Sequence, residues 1–407
     1  MLSGFSAITA TLSQALYRTY AIGNGISLVG LWIQRIAVGW LTWDLTHSGA
    51  WLGLIAFADL CPALIVGPLG GVFADRWDRL RIIFVAQSLA MLQAALLFGL
   101  TEAGLMSMPL LFALVLAGGV VMAFNQPARL ALVPSLVGTE HLPTAVAINS
   151  IVFNLARFVG PAIAGVLILR LGVGSAFAAN ALSYLALLIA LVHISRRLPA
   201  PLGVAAAGKP SLSAAFTEGF RHAISHPGIA VLLFMAAAMS IGTRPLVELM
   251  PGIADGIFAR GAAGLATLAS AVGIGAILGG LWLAGRGAGG RLRRVLLANT
   301  LGTALCTIAF VLSPSFEIAI IAATLYGASM VLSGISVQTM LQLSLDGAYR
   351  GRVMSLYGLV IRSGPALGAL LMGLASELMG LRVPLLMGCV LVFVVWIWVF
   401  KRRDRLG

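Results

Sequence analysis

The chain has 407 residues, 60% hydrophobic and only 10% charged, with a mean hydropathy of +1.03, whereas an ordinary soluble domain has about 25% charged residues. That composition excludes a water-soluble globular protein and points to one dissolved in a bilayer. The formal charge of +13 does not indicate a nucleic-acid partner, because the basic residues fall in short clusters between apolar runs instead of building one patch.

Apolar runs of about 20 residues, enough to cross the hydrocarbon core, follow one another from Thr19 to Phe400. The predicted spans are 19–45, 50–74, 82–101, 108–135, 144–170, 174–194, 229–253, 261–285, 295–313, 317–343, 352–378 and 382–400. The first 18 residues lead into a span too long for a cleavable signal peptide, so helix one is expected to stay as an anchor. Twelve spans put both termini on one side. Of the 26 Lys and Arg, 19 lie at the termini or the even-numbered turns, among them Arg76, Arg79, Arg81, Arg129, Arg196, Arg197, Arg293, Arg294, Arg350 and Arg352. By the positive-inside rule the termini and the middle loop are cytoplasmic.

One long connection, residues 195–228, carries Pro199, Pro201, Gly203, Gly208 and Pro210 and divides the chain near its midpoint. The expected architecture is all-α and integral to the membrane: a six-helix bundle in residues 1–194, a cytoplasmic linker in 195–228 and a second six-helix bundle in 229–407. The halves repeat each other. Helix two ends Gly67-Pro-Leu-Gly-Gly-Val-Phe-Ala-Asp-Arg and helix eight Gly275-Ala-Ile-Leu-Gly-Gly-Leu-Trp-Leu-Ala-Gly-Arg, each followed by further arginines. Helix five carries Arg157-Phe-Val-Gly160-Pro161 and helix eleven Arg362-Ser-Gly364-Pro365, and these Gly-Pro pairs lie 364 − 160 = 204 residues apart. Internal repeats of this kind are how many transporters are built.

At the cytoplasmic end of helix two, Gly71, Asp75, Arg76, Asp78, Arg79 and Arg81 place alternating charges after a small residue, a pattern suited to a latch that holds one conformation. This segment resembles the loop between helices two and three of the major facilitator superfamily, G-x-x-x-D-R-x-x-R. Ser27-Leu-Val-Gly-Leu-Trp-Ile-Gln-Arg, Asn125-Gln-Pro-Ala-Arg129, Ala147-Ile-Asn-Ser150 and Arg350-Gly-Arg-Val-Met-Ser355 resemble its enterobactin-exporter-like branch. The resemblance implies two pseudo-symmetric six-helix bundles and efflux of siderophores, drugs or other small metabolites in exchange for protons. It also implies that helices four and ten line a central cavity, with Asn125, Gln126, Tyr326, Ser333, Gln338 and Gln342 as candidates; each is equally suited to bonding between helices. The Gly-Pro segments resemble the superfamily's helix-five exporter motif.

A charge inside the membrane is costly and calls for a partner, a cavity or a function. On helix one, Asn24, Ser27, Leu31, Gln34 and Arg35 follow helical spacing, so the polar groups share one side, expected to face a wet cavity. Arg35 lies nine residues before Asp44, and Asp59 nine after Ala50, which places both roughly 13 Å deep. They are expected to pair, either as a protonatable switch at Asp59 or as a permanent ion pair. On helix seven, Ser240, Arg244 and Glu248 share a face, flanked by Pro245 and Pro251; Arg244 and Glu248 are candidates for gating or coupling, or lie on a solvated outer rim. The matched positions of Arg157 and Arg362 suggest a shared structural role.

No His-Glu-x-x-His, P-loop or Gly-x-Ser-x-Gly pattern is present, and Cys61, Cys306 and Cys389 lie singly within apolar runs. No enzyme, metal site or cofactor is expected, and the glycine-rich run Gly273–Gly280 reads as a helix-packing surface. The reading is a monomeric secondary transporter of the inner membrane whose partners are a small-molecule substrate, protons and the lipid bilayer. The alternatives are an uptake symporter and a non-transporting membrane sensor.

Overall fold

The computed structural model describes residues 2–66, 77–197, 212–286, 292–345 and 347–402, and among these every regular element is an α-helix. Eleven helices are long and apolar enough to span a membrane: Ala15–Thr46, Arg79–Glu102, Met108–Gly138, Glu140–Leu171, Val173–Ser195, Pro227–Glu248, Gly261–Gly285, Leu292–Val311, Phe316–Ser344, Tyr349–Met379 and Arg382–Lys401. The shorter apolar helix Gly49–Ile65 takes the place of predicted span two, and the helices are numbered one to twelve in chain order. A helix meets all its interior backbone hydrogen bonds within one segment, which is why an apolar chain in lipid adopts nothing else here. Leu89, Leu92 and Leu96 on helix three and Leu371, Leu374 and Leu378 on helix eleven stand exposed at helical spacing, as side chains covered by lipid do.

Three boundaries differ from the sequence expectation. The turn predicted between spans four and five is helical apart from Gly138, whose φ of 68° and ψ of 172° separate the two helices. Pro143 does not interrupt helix five because it stands fourth in it, where a backbone N–H has no intrahelical acceptor to lose. Helix seven stops at Gly242, and short helices Pro245–Glu248 and Met250–Gly256 continue it. The middle connection contains the helix Leu212–Ser225, with Ala223 buried and Phe220 and Ile224 exposed.

The chain packs as two units, residues 1–41 with 61–208, and residues 42–60 with 209–407. The core of the first gathers Tyr17, Ile83, Leu132, Ile148, Leu187, Leu191 and Ile194; that of the second gathers Leu232, Met235, Leu296, Leu341, Val353 and Val399. Small residues set the closest approaches. In the second unit a Cβ at Gly275 would strike the Thr324 carbonyl, and one at Gly327 the Val272 carbonyl, so the glycine-rich run of helix eight packs against helix ten. Gly53 of helix two meets the Ala369 carbonyl of helix eleven, and Gly373 of helix eleven meets the Gly49 carbonyl.

Candidate functional site

The polar side of helix one is buried in the first unit. Ser27 Oγ accepts from Gln87 Nε2 at 2.8 Å, and Gln87 Oε1 accepts from Asn125 Nδ2 at 3.0 Å. Seven residues along, Gln34 Nε2 donates to Gln93 Oε1 at 3.0 Å while Gln34 Oε1 accepts from Asn180 Nδ2 at 2.8 Å, and Ser183 donates to Asn180 Oδ1. These chains tie helix one to helices three, four and six. Asn24 is also buried, and Gln126 is half-buried. Gln34 and Asn125 therefore spend amide groups on neighbouring helices, while Asn125 Oδ1 is buried without a hydrogen bond.

Arg35 and Arg157 both approach the Trp32 ring, at 5.2 and 5.5 Å from its centroid, and Phe153 meets that ring edge-on. A guanidinium over an indole face is attracted by the ring quadrupole, the more so out of water. Gly160 makes the arrangement fit, because a Cβ there would fall on Trp32 Cβ. The second unit repeats the contact with a different partner: a Cβ at Gly364 would lie 2.5 Å from Ser240 Cβ. Serine offers no ring to stack on. Arg362 is exposed where Arg157 is half-buried, while Pro161 and Pro365 are both buried.

Around the break in helix seven, Tyr326 Oη donates to the Thr243 carbonyl at 3.0 Å and Tyr357 Oη to the Gly334 carbonyl at 3.3 Å. Arg244 Nη2 lies 3.5 Å from where a Cβ at Gly334 would stand, and its Nε is buried with no hydrogen-bond partner. Glu248 is half-buried one helical turn further on, and Asp59 is half-buried on helix two. On helix ten, Ser333 bonds back to the Ser329 and Met330 carbonyls, while Gln338 and Gln342 stand exposed one turn apart.

Of the charged latch, Gly71, Asp75 and Arg76 lie outside the described residues. Asp78 caps helix three, accepting from Leu80 N at 2.9 Å, and Arg81 approaches it at 3.7 Å. Arg79 Nη1 donates to the Ala131 carbonyl of helix four at 3.0 Å, securing the two helix ends to each other.

Several residues with a claim on function were not singled out from sequence. Gln87, Gln93 and Asn180 are single polar residues in apolar spans, and that was the available signal. Arg129, counted as a topology residue, lies inside helix four, 8% exposed, with Nε and Nη2 unpartnered. In the second unit, Trp43 Nε1 donates to Asp255 Oδ2 at 2.9 Å, and Glu377 Oε1 accepts from Ser48 Oγ at 2.7 Å and from Ala50 N at 3.1 Å. Glu377 thereby caps the start of helix two. Glu218, on the Leu212–Ser225 helix, pairs with Arg352 at 2.7 Å, and His222 stacks on Tyr349.

Residues 6–405 match the family described as transmembrane secretion effector. Among curated proteins, the chain is 30% identical over 367 residues to the enterobactin exporter EntS of Shigella boydii serotype 4 (strain Sb227), covering 88% of this chain and 84% of that one. The same figures describe its match to the enterobactin exporter EntS of Escherichia coli O81 (strain ED1a). Among solved structures, a POT family transporter in complex with a thioalcohol-conjugated peptide superposes with a TM-score of 0.77 at 11% identity, covering 96% of each chain. A bacterial homologue of the iron transporter ferroportin, in an inward-facing state, superposes at 0.71 and 17% identity, covering 94% of this chain and 98% of that one. Likeness at such identities establishes the fold, and the polytopic helical architecture agrees with it. With the family match spanning nearly the whole chain, the protein is a multi-pass membrane transporter and not an enzyme, and it belongs to the transmembrane secretion effector family of the major facilitator superfamily.

Proposed function

We propose that the chain exports a small molecule, of the siderophore, drug or metabolite kind, across the inner membrane by alternating access in exchange for protons, working as a monomer with both termini cytoplasmic. The similarity to enterobactin exporters along 88% of the chain supports the direction of transport. The observation that carries the alternating-access reading is the clasp made by residues 42–60. This segment follows the first 41 residues in sequence, yet it is bonded to the second unit through Trp43–Asp255 and through Ser48 and Ala50 to Glu377. Both sets of bonds lie within the second unit, near helix ends, and are contacts that a change of conformation can break and remake. Asp59 and Glu248 are the half-buried carboxylates within membrane-spanning helices that this reading assigns to proton coupling.

Everted vesicles test it directly. Imposing an inside-acid pH gradient should drive uptake of enterobactin or another siderophore into vesicles containing the native chain, and adding the solute without a gradient should move protons the other way. Asp59→Asn or Glu248→Gln should abolish proton movement while leaving solute counterflow. Flux indifferent to the gradient would rule out proton exchange, and accumulation driven only in the opposite orientation would make the protein an importer.

A further inference from the structure

Arg244 holds a buried donor, its Nε, that no hydrogen bond among the described residues satisfies. It lies 244 − 227 = 17 residues into the Pro227–Glu248 span, roughly 25 Å from its start at 1.5 Å per residue, toward the far side of a hydrocarbon core about 30 Å thick. A guanidinium there normally has a carboxylate or a set of carbonyls around it. Here Nε is buried and unbonded, and the hydroxyl of Ser240, one turn earlier on the same face, is 0% exposed and likewise without a hydrogen bond. The Nε–H and the hydroxyl, one turn apart along the chain and both removed from water, form a deficit of hydrogen bonds.

The surroundings hold that deficit in place. The helix break after Gly242 frees Arg244 from regular helix geometry, and Tyr326 fixes the break by bonding the Thr243 carbonyl. Tyr357 donates to the carbonyl of Gly334, the residue beside which Nη2 lies. Gly334 itself leaves free the space beside Nη2 that a side chain would fill. The arginine is thus positioned and given room on one side.

We propose that Arg244, with Ser240, is the anion-recognising element of the solute site, and that the transported molecule carries an acidic group, a carboxylate or an ionised phenol, that docks on this guanidinium. A planar guanidinium takes two oxygens of such a group in parallel hydrogen bonds, and the hydroxyl adds a third donor. The assignment rests on the exporter reading for its physiological meaning and names the substrate class that the reading leaves open.

The test is equilibrium binding to purified protein in detergent, with no gradient, using two matched pairs of probes: salicylate against salicylamide and 2,3-dihydroxybenzoate against its amide. The native chain should bind each acid at least about tenfold more tightly than its amide, a difference near 1.4 kcal/mol. Arg244→Gln should bring the ratio to about one, and Arg244→Lys should keep part of it. Ser240→Ala, which leaves the guanidinium in place, should weaken the acid and not the amide. The melting temperature of Arg244→Gln should equal or exceed that of the native protein, since a buried donor without a hydrogen bond is removed; a purely structural arginine would give a fall. Absence of acid preference in the native chain, or its survival in Arg244→Gln, overturns the assignment. Failure of the exporter reading shows up separately, as absence of gradient-driven flux in vesicles while the acid preference in detergent persists.

Discussion

Trp43 donates its indole N–H to the carboxylate of Asp255, 212 residues further along the chain, and lays its ring against Gly252 and Gly256. The two glycines are what let a ring that large lie flush with the backbone. A hydrogen bond to a charged acceptor of this kind contributes about 1.5–3 kcal/mol. Trp43→Phe should keep most of the packing and lose the bond, lowering the melting temperature by a few degrees. A cysteine introduced at Gly256 should react faster with a membrane-impermeant maleimide in that variant than in the Trp43 background; equal rates would mean that the bond does not hold this end closed.

Glu377 serves Ser48 and the backbone of Ala50 with one oxygen. Glu377→Gln preserves an acceptor oxygen and removes the charge, whereas Glu377→Ala removes both and leaves the helix start uncapped, a loss of about 1 kcal/mol. Stability and transport should therefore fall in the order native, Gln, Ala. A Gln variant as impaired as Ala would show that charge, and not acceptance, is what the contact supplies.

The amide ladder of the first unit should be sensitive to which member is removed. Gln87→Leu deprives both Ser27 and Asn125 of a partner and leaves Asn125 Nδ2 only its long contact to Met122 Sδ at 3.8 Å, beside an Oδ1 that is already unbonded, costing about 1–3 kcal/mol for each buried group stranded. Ser27→Ala strands only one amide proton. Thermal unfolding in detergent should rank Gln87→Leu well below Ser27→Ala, and additive effects in the double variant would contradict the shared bond.

Helix eight tolerates no side chain at Gly275, where it meets helix ten. Gly275→Ala drives a methyl into the Thr324 carbonyl, and overpacking of this kind costs about 1–3 kcal/mol, or more where backbone must move. Gly99→Ala, on helix three where nothing lies within 4 Å, should instead be neutral or gain about 0.5–1 kcal/mol from lower chain entropy. Folded yield and melting temperature of the two variants read this out.

What the sequence made legible follows from what is local. Hydropathy located the helices, because twenty consecutive apolar residues leave the backbone no other way to bond in lipid. The spacing of Gly160-Pro161 and Gly364-Pro365 announced a repeat, and each glycine does seat the same kind of helix contact in its own unit. What stands across from each glycine was not legible: Trp32 in one unit draws Arg35 and Arg157 onto its ring, and Ser240 in the other offers no ring to the exposed Arg362. Likewise, Gln34 and Asn125 read equally well as cavity lining or as bonds between helices. Only the placement of Gln93, Asn180 and Gln87 on facing helices commits their amides. Trp43–Asp255 and Ser48–Glu377 had no signal at all, since partners more than 200 residues apart share no pattern. Arg129 was hidden for another reason: a basic residue near a helix end satisfies the topology rule so readily that its burial goes unasked.

Helix five is suspended between two residues that only glycine can supply. Gly138 before it and Gly172 after it have φ of 68° and 85° with ψ of 172° and 164°, a region of backbone space closed to any side chain. With a single residue at the first joint and another at the second, there is no slack on either side. A tilt of helix four or helix six is handed to helix five at once, so these three helices form a folding rule with two pinned hinges instead of three rods on strings. Lengthening either joint with a flexible tripeptide would leave every helix intact and uncouple them, separating a protein that still binds its solute from one that still carries it across.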